Sequence, residues 1–246
     1  MHLTHPTPPF DSRAEGMLSG VGGFPKSDRD LFLAGYSELC RMDLNGGHAL
    51  EICGGFGKLA AALAGVFPDA KITGLDLYAA SGPHVDEALE KHPNLEYVAG
   101  DAFDLSRYGN ASIDLIWGQA ALHHLSHDLA GITREAARVL KPGGRLVFIF
   151  EPLGHNLAVA AIRAMRMARH ELGDESNLYL SQFEKMGKSF SQTEVQAFNL
   201  LGYPMKALAD RLTPIAAIVK RGDATLFRHF PRLMRYAANC NVVFTR

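Results

Sequence analysis

The chain has 246 residues, 47% hydrophobic and 21% charged, which suits one large α/β domain, or one domain with an added cap, and a full buried core. Its formal net charge of −1 gives no sign of a nucleic-acid or anionic-membrane partner. Three widely spaced cysteines (Cys40, Cys53, Cys240) make no disulfide framework, no apolar segment is long enough to span a bilayer, and the first ten residues lack a signal-peptide pattern. The expectation is a soluble cytoplasmic protein.

In chain order, the proline- and threonine-rich residues 1–12 read as a flexible tail. The glycine-dense stretch 16–26 reads as a mobile loop. Ser27 or Asp28 caps a helix carrying Leu31, Phe32, Leu33, Tyr36, Leu39 and Cys40 at helical spacing. A regular alternation then begins: strands at 49–53, 71–75, 95–99, 113–117 and 145–150, with helices at 57–66, 85–91 and 133–140. Short links between them predict a parallel sheet covered on both faces. Ligands then sit beyond the carboxyl ends of the strands, where Gly54-Gly55, Asp76, Asp101, Gly118-Gln119 and Glu151 share one rim.

The pattern loosens after Glu151. Residues 157–170 read as an apolar and basic helix, with Arg163, Arg166 and Arg169 on one solvated face. Residues 173–188 read as irregular. Ser191-Gln192-Thr193-Glu194 resembles a capping box for a helix reaching Leu201. A sixth strand is expected at 205–209, a helix at 223–238 despite Pro231, and a last strand at 242–245.

Five segments in order, A-L-E-I-C-G-G-F-G, I-T-G-L-D-L, V-A-G-D-A-F-D-L, I-D-L-I-W-G-Q-A-A-L-H-H-L and R-V-L-K-P-G-G-R-L-V, resemble the class I S-adenosylmethionine-dependent methyltransferases of the small-molecule branch. The resemblance implies an α/β fold with a Rossmann-like, doubly wound, mostly parallel seven-stranded sheet. A helical cap would come from the N-terminus and the C-terminal third. One domain spans 1–246: a tail (1–12), an N-terminal lid (13–48), a cofactor-binding core (49–152), an acceptor cap with the remaining core (153–241) and the last strand (242–246).

The same resemblance implies S-adenosyl-L-methionine as cofactor and S-adenosyl-L-homocysteine as product. Glu51, Cys53, Gly54, Gly55 and Gly57 would hold the methionine part. Asp76 would take the ribose hydroxyls, and Asp101 and Ala102 the adenine. Leu77 and Phe103 would wall the base, with Gly118 and Gln119 near the transferring methyl. Cys53 stands where the family has its first motif glycine, which a small side chain tolerates if its φ stays negative. Its thiol is either reactive with a low pKa or buried and inert.

His123 is a candidate general base or a structural histidine. Glu151 and His155 would line the acceptor pocket, with a solvated strand end as the alternative for Glu151. His123 and His127 fall at i, i+4 on an expected helix, but no further ligand set accompanies them, so no metal is expected. Tyr36 and Phe32 are assigned to the core in preference to a lid.

The reading is methyl transfer to oxygen, nitrogen or carbon of a small organic acceptor, with no nucleic-acid or membrane partner and a homodimer left open. A non-methylating enzyme on the same cofactor (a cyclase or decarboxylase), a nicotinamide-dependent oxidoreductase and a non-catalytic binding protein are the alternatives.

Overall fold

Apolar runs punctuated by glycine and proline build the molecule around one sheet. The computed structural model describes every residue except 23, 24, 169–176, 202–204 and 206–210. The first half contains β1 (His2–Thr4), α1 (Ser12–Val21), α2 (Arg29–Cys40), β2 (His48–Ile52), α3 (Lys58–Val66), β3 (Lys71–Asp76), α4 (Pro83–Lys91), β4 (Leu95–Ala99) and β5 (Ile113–Gln119). The second contains α5 (Leu129–Val139), β6 (Leu140–Pro152), α6 (Leu157–Ala168), α7 (Leu180–Gly187), β7 (Gln192–Phe198), α8 (Thr213–His229) and β8 (Asn239–Thr245).

The described residues form an eight-stranded sheet in the order β1-β7-β8-β6-β5-β2-β3-β4. β8 runs antiparallel to both neighbours, β6 and β7, and the remaining pairs are parallel. The chain winds outward from β2 to β4, then restarts at β5 on the other side of β2. The order therefore switches between β2 and β5, and a crevice opens beyond their carboxyl ends. Side chains alternate across the sheet with period two. Leu50, Ile52, Ile116 and Phe148 pack on one face, under α5 and α7. Ala49, Leu115, Trp117, Val147 and Ile149 pack on the other, under α1, α2 and α3.

The rise from β2 into α3 depends on Gly57. This residue caps α3 with φ 72°, and the Tyr97 ring fills the space where a Cβ would stand. Tyr97 Oη donates to the Gly57 carbonyl at 2.7 Å, so β4 braces the loop from below. A side chain here meets both a strained backbone and an aromatic ring.

Several expectations fail for identifiable reasons. The tail contributes strand β1, an eighth strand parallel to β7, tied by Thr4 Oγ1 donating to Glu194 Oε1 at 2.8 Å. The expected mobile loop is largely α1, because Ala14 and Met17 gain a buried face that outweighs the helix cost of Gly16 and Gly20. Residues 192–198, expected as a helix, are strand β7. Ser191 does not cap a helix; its N–H and hydroxyl both donate to the Thr245 carbonyl at the end of β8. Val195 and Ala197 are buried there, and tertiary pairing overrides the local capping pattern.

The stretch expected as irregular contains α7, whose Leu180, Phe183 and Met186 are buried. α8 ends at His229 and Pro231 opens a short 3₁₀ segment, so proline does break the expected helix. Lys141-Pro142-Gly143-Gly144 forms an irregularity in β6, where the register jumps from Ile113–Leu140 to Leu115–Arg145. The strand expected at 205–209 and the residue Arg169 fall outside, or almost wholly outside, the described residues.

Two glycine replacements should move stability in opposite directions. Gly57→Ala is expected to cost about 1–3 kcal/mol, lowering the thermal midpoint by several degrees. Gly16→Ala, on the exposed side of α1 with open space around it, is expected to gain about 0.5–1 kcal/mol. Thermal unfolding of both variants against wild type checks the pair.

Candidate active site

The crevice is built from five strand ends. At β2, the Glu51 carboxylate is buried and accepts from the Ala60 N–H at 3.1 Å. The partner amide lies in the opening turn of α3, so the helix dipole faces this carboxylate. Burial nevertheless pushes its pKa up to about 8, against the Ala60 and Trp117 N–H groups that favour the charge. Trp117 Nε1 makes no hydrogen bond of ordinary length, yet lies near enough to act on Glu51 electrostatically.

Cys53 follows with φ 54°. The condition of a negative φ is therefore not met: the residue adopts the left-handed conformation that a glycine would adopt without strain. Its thiol is half-buried, and desolvation pushes its pKa up to about 12, with Asp76, Glu151, Glu51 and Asp101 adding to the shift. Burial first, and the neighbouring acids second, oppose a thiolate, which favours the inert thiol over the reactive one.

At β3, Asp76 Oδ2 accepts from the Gly55 N–H at 2.9 Å, so the acid and the glycine loop hold each other in place. Gly55 has φ 50° and open space where its Cβ would stand. Beyond β4, Asp101 Oδ1 accepts from the Phe103 N–H at 2.9 Å in a tight turn. Ala102 is buried, and the half-buried Phe103 ring packs 4.8 Å from His127. Phe56, Leu77 and Tyr78 are 77%, 66% and 83% exposed, an apolar fringe beside polar strand ends. These groups suit a ligand with an apolar base and a hydroxyl-rich, zwitterionic remainder.

β5 extends through Gly118 and Gln119 to the rim. An added Cβ on Gly118 would lie 2.7 Å from the Ala121 Cβ, which favours glycine at this strand position. Gln119 Oε1 accepts from Tyr36 Oη at 2.7 Å. Tyr36 is thus both a core residue of α2 and a support for the crevice. Its ring gives no local sequence signal of this, since the contact joins positions 83 residues apart.

Glu151 on β6 is fully buried, which corrects both the solvated strand end and the direct lining of an acceptor pocket. Its Oε1 accepts from the Ala121 and Leu122 N–H groups, each at 2.8 Å. Its Oε2 accepts from the His123 N–H at 3.2 Å and lies 2.8 Å from His123 Nδ1. A carboxylate can only accept there, so Nδ1 carries the proton and Nε2 is the basic nitrogen. His123 itself is 7% exposed and packs against His124 at 4.2 Å between ring centroids. It lies in the turn before a 3₁₀ segment at Ser126–Asp128, so His123 and His127 do not share a helix.

His155 stands apart from this dyad. Its ring meets Tyr179 edge-on at 5.2 Å, and burial, with Arg235 nearby, lowers its pKa. Arg163 is buried, not solvated as expected, while Arg166 is exposed.

A mostly parallel sheet with a glycine loop at its switch point and acids closing successive strands defines a Rossmann-like α/β protein. Residues 50–148 match the family model of the methyltransferase domain. That match, with the relatives below, supports a class I S-adenosylmethionine-dependent methyltransferase.

It is 29% identical over 197 residues to phthiotriol/phenolphthiotriol dimycocerosates methyltransferase of Mycobacterium leprae, covering 80% of this chain and 61% of that protein. It is 31% identical over 133 residues to 27-O-demethylrifamycin SV methyltransferase of Amycolatopsis mediterranei, covering 50% and 47%. Its fold superposes with a TM-score of 0.57 on phosphoethanolamine N-methyltransferase 2 of Haemonchus contortus, solved with S-adenosyl-L-methionine, at 18% identity over 85% of this chain and 50% of that one. The chain thus spans less than two thirds of the length of the curated relatives named here.

Two variants probe the buried acids. The folded pKa of Glu51 lies above its unfolded value of 4.5, so the native state binds the extra proton between pH 4.5 and about 8. Stability is then lost as pH rises through that window. Urea unfolding should show this slope in the ligand-free wild type and a flatter profile in Glu51→Gln; parallel profiles would contradict it.

Glu151→Gln sets an amide NH₂ against backbone N–H donors whichever way it is turned. The expected cost is about 1–3 kcal/mol in thermal unfolding. A weaker preference for the Nδ1–H tautomer of His123, read from its ring ¹⁵N shifts, should accompany it.

Proposed function

We propose that the chain transfers a methyl group from S-adenosyl-L-methionine to a small organic acceptor. The observation that carries this reading is the glycine loop held between two strand-end acids, with Glu51 accepting from the Ala60 N–H and Asp76 from the Gly55 N–H, and Asp101 just beyond the neighbouring strand. Gly54, Gly55 and the amides opening α3 would hold the methionine carboxylate, and Glu51 the ammonium. Asp76 would accept from the ribose hydroxyls. Asp101 and the Ala102 N–H would take the adenine edge, with Leu77 and Phe103 against its faces. Gly118 and Gln119 would flank the reacting end, and the Tyr36 hydroxyl would orient the Gln119 amide so that its NH₂ points away from α2.

The bound cofactor supplies an electrophilic methyl on a sulfonium. The remaining work falls to the protein: aligning the acceptor, excluding water and, where needed, removing a proton. His123 would take that proton at Nε2. Glu151 acts through it, as a positioning residue that fixes the tautomer and stabilises the protonated ring. His155 is proposed as an outer part of the acceptor pocket, since its ring is only partly buried beside Tyr179. The free cysteines support a reducing, cytoplasmic setting.

Calorimetric titration with S-adenosylmethionine, S-adenosylhomocysteine and NAD tests the cofactor, and product mass tests the reaction. Both sulfur ligands should bind, at least tenfold more weakly in Asp76→Ala, with products heavier by one methylene. Binding of NAD alone would overturn the assignment. Product without the added methylene would favour the cyclase or decarboxylase alternative.

A further inference from the structure

The overall charge balance conceals an uneven distribution. Residues 157–168 and 213–236 hold seven lysines and arginines and one acid, within a chain of net charge −1. That acid, Asp223, is buried and accepts from the Leu201 N–H at 2.8 Å. Lys220 is paired with Asp30. Among the described residues, Arg221, Arg228, Arg232 and Arg235 are exposed and make no ion pair.

Large apolar side chains lie between these charges. α8 buries Ala216, Val219, Asp223 and Phe227 on one stripe and turns Ile218, Arg221 and Arg228 outward. Ile218 is 67% exposed, and Phe230, directly after the helix, is 60% exposed. The 3₁₀ segment Pro231–Tyr236 continues the pattern with Arg232, Arg235 and Tyr236. Asn156 Nδ2 donates to the Tyr236 carbonyl at 2.8 Å, which brings the start of α6 and its outward Leu157, 84% exposed, to the same rim.

We propose that this rim, α8 with the 3₁₀ segment and the start of α6, is a docking surface for an anionic lipid bilayer. The exposed aliphatic and aromatic side chains would enter the interface, and the four unpaired arginines would meet lipid headgroups. Charge complementarity selects this occupant. A second copy placed symmetrically would set arginine against arginine. A nucleic acid would use the arginines but leave Leu157, Ile218 and Phe230 without a role. The arrangement is peripheral, since no helix among the described residues is long and apolar enough to cross a membrane. The proposal does not depend on the methyl-transfer reading.

Co-sedimentation of the whole chain with vesicles tests it. Vesicles of phosphatidylcholine with phosphatidylglycerol should bind at least tenfold more protein than phosphatidylcholine alone, and high salt should weaken the binding. Arg228→Glu/Arg232→Glu should lower binding about tenfold or more, and so should Ile218→Ser/Phe230→Ser. All four positions are exposed, and unchanged thermal midpoints would confirm that the variants fold. No preference for anionic vesicles at low salt would overturn the proposal. Loss on arginine reversal with no effect of the apolar pair, alongside tight binding to duplex DNA or RNA, would give the surface to a nucleic acid. A dimer dissociated by the apolar pair, with no vesicle binding, would make it a subunit interface.

Discussion

Glu51 is a carboxylate enclosed beneath a glycine loop, held by a single helix-opening N–H, with its ionisation resisted by burial. The surrounding geometry follows from keeping that group where it is. The chain must turn directly over it, so Cys53 and Gly55 take left-handed backbone and Gly54 passes close to the carboxylate oxygen. The turn must then enter α3 with the Ala60 N–H facing inward, which requires the positive φ of Gly57. Asp76 receives the Gly55 N–H and locks the loop to β3. A buried acid with a raised pKa and a crevice above it is poised for a cationic ligand group, whose arrival would restore its charge.

The second half of the site rests on another buried carboxylate. Glu151 gathers three successive amides and one imidazole from the turn after β5, and so fixes where β5 ends and which way His123 points. The two carboxylates stand on opposite sides of the switch point, and Cys53 senses both. One side is suited to holding a zwitterionic nucleoside, and the other to presenting the His123 imidazole. Gln119, supported by Tyr36, lies on β5 beside both.

The core of this arrangement was legible in the sequence. From 49 to 150 the strands are apolar, the breaks are marked by Gly, Pro, Asn and Asp, and the special residues fall at or near the strands' carboxyl ends. Local chemistry failed where burial decided the outcome. Ser191-Gln192-Thr193-Glu194 carries a helix-start pattern, yet Val195 and Ala197 alternate inward between two neighbouring strands and make β7. Gly16 and Gly20 weaken a helix, yet Met17 is buried beneath it. Short edge elements such as His2–Thr4 have no pattern of their own and exist because β7 offers an edge to pair with. Within the site, the identities of the rim residues were readable but their partners were not. The reach of Tyr36 to Gln119, the Tyr97 ring under Gly57 and the grip of Glu151 on 121–123 are long-range contacts without a local signature.

The central claim is that the crevice over Glu51 receives the ammonium end of the cofactor. The most direct measurement is the number of protons released when S-adenosylhomocysteine binds near pH 7, obtained by calorimetry in buffers of different ionisation enthalpy. Glu51 is largely protonated in the free protein at that pH, with a pKa near 8, and an adjacent ammonium would lower it. The account predicts release approaching one proton for wild type and little for Glu51→Gln. Binding with the same proton count in both proteins would contradict it.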